Sequence, residues 1–66
     1  MKPKHPDIKV QLIGEDGNAF SILSRVRQAL LAAGVSQEEV SAFVAEASAG
    51  DYDELLEVCM RWVEVE

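Results

Sequence analysis

One histidine, one cysteine and twelve carboxylates are the residues of this 66-residue chain that could take part in acid–base, nucleophilic or metal chemistry. Nucleophilic catalysis by Cys59 would need a base held beside the thiol. The histidine, His5, lies between Lys4 and Pro6 in a stretch without apolar periodicity. We therefore expect Cys59 to be a small buried helix residue, and we expect the protein not to be an enzyme.

The carboxylates do not have the spacing of a metal site. A calcium-binding loop alternates oxygen ligands over its first five positions, has glycine at the sixth and ends on glutamate at the twelfth. A loop numbered from Asp16 has Phe20 at the fifth position, and one numbered from Asp51 has Leu55 there. The glycines also lack the spacing of a phosphate-binding loop. The sequence predicts neither a metal ion nor another cofactor.

Many of the acids stand where helices are expected to begin. A carboxylate in the first turn of a helix interacts favourably with the partial positive charge of the helix N-terminus. Five acids have such positions, namely Glu38, Glu39, Asp51, Asp53 and Glu54. We interpret this group as structural.

Three residues are less easily explained by folding alone. Asp51 is sufficient to cap a helix, so Tyr52 and a second acid, Asp53, could belong to a recognition surface. Trp62 lies near the end of the chain, where a partly covered tryptophan could anchor a partner. For both aromatic residues the alternative is a place in the core. Tyr52, Asp53 and Trp62 are the candidate partner-binding residues.

The periodicity of apolar residues predicts the elements of the first half of the chain. Apolar and polar residues alternate between Ile8 and Leu12, as in a strand with one buried face. After a turn, Asn18 is the expected cap of a long amphipathic helix, which ends at Gly34. Phe20 is expected to pack this helix onto the strand.

A second helix and a second strand follow from the remaining sequence. Ser36 and Glu39 have the spacing of a capping box, and Gly50 is the expected end of the helix that they begin. Residues 62–66 alternate again and contain β-branched side chains, which predicts a short terminal strand.

A third helix is expected between these two elements, with Asp51 as its cap. Glu57 and Arg61 are spaced to form an ion pair on its outer side. Its predicted inward stripe consists of Tyr52, Leu55, Leu56 and Cys59.

These elements predict an α+β fold, a small β-α-α-α-β domain in which three helices pack on a two-stranded sheet. The terminal strand is expected to lie parallel to the first. Residues 1–6, with two prolines and two lysines, are predicted to be a flexible basic tail, and residues 7–66 a single domain. Because a two-stranded sheet has free edges, homodimerisation through a strand edge stays open.

Charge is divided unevenly along the chain. The net charge is −6, yet residues 1–33 carry five bases and three acids, whereas residues 34–66 carry one base and nine acids. An acidic half repels phosphate, so direct nucleic-acid binding is not expected. No apolar run is long enough to span a membrane. The single cysteine, and the lack of an apolar segment after the basic N-terminus, indicate a cytoplasmic protein.

A combination of short motifs carries a resemblance that extends from Val10 to the end of the chain. The motifs are Asp16-Gly17-Asn18-Ala19-Phe20, Ala33-Gly34-Val35, Gly50-Asp51-Tyr52-Asp53 and Trp62-Val63. With them the chain resembles a family of short, uncharacterised proteins of bacteria and their phages. The resemblance implies a small free-standing domain, and the family has no known activity, cofactor or catalytic residue to transfer.

The sequence favours a small protein-interaction module that binds an unidentified protein partner. Its size, its strand edges and its uneven charge all favour this hypothesis. The alternative is an acidic phage-type inhibitor whose carboxylates imitate nucleic-acid phosphates and occupy the basic groove of a DNA-binding protein. Such a decoy would need its acids in a regular double row, whereas here they cluster at helix starts.

Overall fold

The computed structural model of the protein describes residues 2–12 and 17–66. The two strands form a parallel sheet, and the helices pack with it around one hydrophobic core. The predicted α+β class and the β-α-α-α-β order are confirmed. The turn expected after the first strand lies largely outside the described residues. In chain order the elements are β1 His5–Val10, α1 Ala19–Ala32, α2 Gln37–Ser48, α3 Tyr52–Trp62 and β2 Val63–Val65.

All three helices begin at the predicted cap residues. The Asn18 Oδ1 atom accepts a hydrogen bond from the N–H of Phe20 at 2.9 Å. The side chains of Ser36 and Asp51 each accept from the N–H three residues later, at 3.2 and 3.0 Å. Each bond satisfies an N–H group that has no partner within its own helix. None of the helices in the described ranges is long and apolar enough to cross a bilayer.

The end of α1 is set by Gly34. This glycine has a φ of 87°, a left-handed conformation that side chains with a Cβ atom rarely adopt. Its N–H donates to the Leu31 carbonyl at 3.1 Å, and the N–H of Val35 donates to the Leu30 carbonyl at 3.0 Å. These two bonds form a Schellman motif, which satisfies carbonyls at the helix end and turns the chain towards α2.

The first strand starts earlier than the sequence indicated. It begins at His5 rather than at Ile8, and the N–H of Lys4 donates to the Arg61 carbonyl at 2.8 Å. Part of the segment 1–6, predicted to be a tail, is therefore paired with the end of the chain. The ladder is irregular between His5 and Lys9, so Pro6, which has no N–H to donate, falls where regular pairing is interrupted.

Every element contributes to the core, but α3 faces it differently from the prediction. The predicted inward stripe included Tyr52 and Leu56, yet Tyr52 is exposed and Leu56 only half-buried. Trp62, which was predicted to start the strand, instead ends the helix, and its burial turns this face of α3 towards the core. The α3 residues that are buried in the core are Leu55, Val58, Cys59 and Trp62.

Cys59 has no contact with solvent, and desolvation raises the pKa of its thiol from 9.0 to about 11. The folded protein therefore holds the thiol proton more tightly than the unfolded chain does. The resulting stabilisation is complete below pH 9.0 and is lost as the pH rises to about 11.

We expect the free energy of unfolding of the wild-type protein to fall more steeply between these pH values than that of a Cys59→Ala variant. Denaturant unfolding of both proteins across this range measures the difference. Parallel curves would show that the thiol has no raised pKa in the fold.

Candidate functional site

Trp62 lies in the core, with 4% of its surface exposed. Phe43 of α2 meets its ring edge-on, with the ring centroids 5.6 Å apart, and His5 of β1 stacks on it at 6.0 Å. Its Nε1 atom donates to Glu46 Oε1 at 3.3 Å. The Nζ atom of Lys4 lies 4.2 Å from the centroid of the ring. A partner-binding role for Trp62 depended on partial exposure, and its burial leaves little of the ring for a partner.

His5 packs inside the fold rather than in a free tail. Within residues 2–12 and 17–66 its buried Nε2 atom has no hydrogen-bond partner, although Oε2 of Glu39 lies 3.4 Å away. The Cys59 thiol is buried as well, and its raised pKa keeps it protonated. The Nε2 atom of His5 and the Cys59 thiol are thus both shielded from solvent, and no contact between the two side chains is found among the described residues.

The Glu39 carboxylate also departs from the predicted capping box. Its backbone N–H binds Ser36 as expected. Among the described residues, its side chain contacts His5 of β1 instead of completing the reciprocal bond. The helix start is thereby tied to the sheet.

A cleft of about 540 Å³ opens beside Trp62. Two of the charged residues that line it form an ion pair, Arg61 and Glu46, at 3.7 Å. Arg61 was predicted to pair with Glu57 instead. Charges of both signs line the opening, three bases and two acids. Its lining residues are Lys2, Lys4, Glu46, Glu57, Met60, Arg61 and Trp62.

An apolar surface adjoins this cleft at Met60. Among the described residues, the large hydrophobic side chains that are exposed are Phe20, Tyr52 and Met60, at 81%, 44% and 54%. Tyr52 lines two grooves, one of about 190 Å³ with Phe20 and Leu23 and one of about 350 Å³ with Leu56 and Met60. We call the surface formed by these five residues the Tyr52 surface.

The α3 helix presents this surface because it carries two apolar rows. Tyr52, Leu56 and Met60 are four residues apart and therefore lie along one side of the helix. The other row faces the core. Tyr52 is fixed at the end of its row, since its hydroxyl donates to the Gly17 carbonyl at 2.5 Å. This bond joins the start of α3 to the segment that precedes α1.

Asp53 lies in the first turn of α3 and is exposed, next to Tyr52. Glu57 follows four residues later and is exposed too. The two carboxylates therefore border the apolar row. The described residues contain no group of three or more histidine, cysteine or acidic side chains arranged to hold a metal ion.

Two of the three residues predicted to bind a partner lie at this surface. Tyr52 and Asp53 are neighbours on the surface of α3, but Trp62 lies apart from them in the core. Phe20 was wrongly expected to pack against the first strand. Met60 was missed, although its spacing of four from Leu56 was a signal that could have revealed the outer row.

The contact between Lys4 and Trp62 predicts that the N-terminal segment stabilises the fold. We expect Lys4→Ala to lower the free energy of unfolding by about 0.5–1 kcal/mol, as expected for a cation–π contact near the surface. The fluorescence of the single tryptophan should change with it. Lys2→Ala removes the same charge and is the matched control. Equal effects of the two substitutions would contradict a specific contact.

The hydroxyl of Tyr52 predicts a small but measurable contribution to stability. Tyr52→Phe removes the hydrogen bond to Gly17 and leaves the ring in place. The expected loss is about 0.5–1.5 kcal/mol in urea unfolding. A loss above about 3 kcal/mol would instead assign the ring to the core.

Comparison of the chain with family models, with curated proteins and with solved structures finds no match in any of the three. The geometry itself brings together an exposed apolar row on α3, the aromatic ring of Phe20 and two acids beside the row. It separates this surface from Trp62. The Tyr52 surface is the candidate functional site.

Proposed function

We propose that this protein is a small, non-enzymatic interaction module that binds another protein through the Tyr52 surface. The observation that carries the proposal is that the exposed large hydrophobic residues of the described chain line two grooves that share Tyr52. Phe20 lines the smaller groove and Met60 the larger one. Single exposed apolar side chains are ordinary on protein surfaces. A contiguous apolar surface with grooves is typical of a binding site for another molecule.

The residue types of this surface suit protein binding. Tyrosine, phenylalanine and methionine are enriched at protein interfaces. Tyrosine buries a large area at a low cost in side-chain entropy, and Tyr52 is already held by its bond to Gly17. Met60 is unbranched and adapts its shape to a partner. With Tyr52 held in place and Met60 free to adapt, a partner can bind without rearrangement of the fold.

The buried cysteine and the half-buried histidine support the non-enzymatic part of the proposal. A general base must come within hydrogen-bond reach of a substrate, and the Nε2 atom of His5 is buried. The Cys59 thiol is buried and protonated. We propose the cytoplasm as the compartment, in line with a single, unpaired cysteine.

The contacts of the acids favour the module over the nucleic-acid decoy. Glu39 contacts His5, and Glu46 binds both Trp62 and Arg61. These two carboxylates serve contacts within the fold and are not free to imitate a row of phosphates. Strand pairing between two copies is also disfavoured, because β2 has three residues and the β1 ladder is irregular.

We expect Met60→Lys to abolish partner binding while it changes the free energy of unfolding by less than about 0.5 kcal/mol, because Met60 is exposed. Affinity capture from a lysate of the encoding organism, quantified by mass spectrometry, measures binding. Gln28→Lys on α1 adds the same charge at an exposed position that does not line either groove and should retain the partner. The proposal is refuted if the Met60→Lys protein still captures the partner, or if the wild-type protein captures none.

A further inference from the structure

The charges around the Tyr52 surface indicate what kind of partner it fits. Asp53 and Glu57 are exposed, and each lies three residues before a member of the outer α3 row, Leu56 and Met60. Residues three apart on a helix are neighbours on its surface. One side of the apolar row is therefore bordered by negative charge.

The sheet side of the larger groove is apolar. Leu12 and Val65 line that groove. The N–H of Leu12 donates to the Glu66 carbonyl at 2.8 Å, and the N–H of Glu66 donates to the Val10 carbonyl at the same distance. Because successive side chains of a strand point to opposite faces, Glu66 does not share the face of Val65. The acids that border the apolar row are therefore those of α3.

The bases nearest the Tyr52 surface lie at its Met60 end. Lys2 and Lys4 line the cleft that adjoins Met60. Arg61 is the only lysine or arginine in residues 34–66, and its guanidinium pairs with Glu46. Among the described residues, no lysine or arginine lines either groove of the surface. The charges along the grooved part of the apolar row are therefore the acids of α3.

The shape of the surface suits a helix. Tyr52 and Met60 are eight residues apart, so the row extends for about 12 Å along α3. Grooves of about 190 and 350 Å³ lie beside Tyr52, which lines both. An amphipathic helix presents apolar side chains at spacings of three and four, which can occupy successive grooves in this way.

We propose that the Tyr52 surface binds a basic amphipathic helix of another protein, an inference that rests on the proposed function and names its partner class. Apolar side chains of the partner fill the two grooves, and its lysine or arginine residues face Asp53 and Glu57. A second copy of this chain fits less well, because a symmetric contact would oppose these acids in a protein of net charge −6.

The test is a titration of the protein into a labelled synthetic helix of leucine and lysine, about 14 residues or roughly four turns long. Fluorescence anisotropy at low and high salt measures the affinity. A leucine–glutamate peptide of the same pattern is the matched control and should bind at least about tenfold more weakly. Added salt should weaken binding of the leucine–lysine peptide.

Two double variants separate a local effect from a change in net charge. Asp53→Asn with Glu57→Gln should weaken binding by about three- to tenfold and reduce the dependence on salt. Glu38→Gln with Glu64→Gln removes the same charge from exposed positions that line neither groove and should leave the affinity nearly unchanged. Equal weakening by both double variants would overturn the inference, because it would show attraction to net charge alone.

Other outcomes decide between the inference and the proposed function. If the leucine–lysine peptide shows no saturable binding up to about 1 mM, yet a captured protein still depends on Met60, the interaction module stands and the basic helix is refuted. If sedimentation shows a dimer that Met60→Lys dissociates, the occupant is a second copy, and the inference is refuted. If the wild-type protein binds neither the leucine–lysine peptide nor any captured protein, the inference and the proposed function are both refuted.

Discussion

The packing around Trp62 is the constraint on which the rest of the structure depends. Trp62 is the last residue of α3, and Val63, the next residue, both closes the helix through its N–H bond to the Cys59 carbonyl and begins β2. No loop separates helix and strand, so the orientation of α3 fixes the direction of β2. The ring of Trp62 is held by Phe43 from α2 and by His5 from β1. The Trp62 side chain thus joins α3 to α2 and β1 in a chain of a size that forms one core.

The junction between α3 and β2 also determines which residues of α3 stay exposed to solvent. Because Leu55, Val58, Cys59 and Trp62 face the core, the neighbouring row on α3 leaves its two ends exposed, with the half-buried Leu56 between them. That row contains Tyr52 and Met60, and the exposed surface is therefore a consequence of how α3 docks. The exposed part of this row is the feature from which the interaction module is proposed.

Local hydrogen bonding made much of the fold predictable. Caps at Asn18, Ser36 and Asp51 depend on short polar side chains and on the free N–H groups of the next turn, all within three residues. The end of α1 at Gly34 depends on the backbone freedom of a single residue. Tyr52 and Asp53 were recognised as surplus to the cap for the same reason. These features require no knowledge of distant parts of the chain, so a linear sequence is sufficient to predict them.

The order of elements, the helix caps and the acidic second half were determined by the sequence itself, because each follows from neighbouring residues or from composition. Tertiary structure alone decided that Lys4 and His5 pack on Trp62, that Arg61 pairs with Glu46, and that Phe20 is exposed. Each of these contacts joins residues far apart in the chain or depends on the rotation of a helix about its axis. Apolar periodicity restricts that rotation to a broad stripe. The choice between two overlapping apolar rows on α3 was made by Trp62, whose large ring is buried only when the helix turns it towards Phe43 and His5.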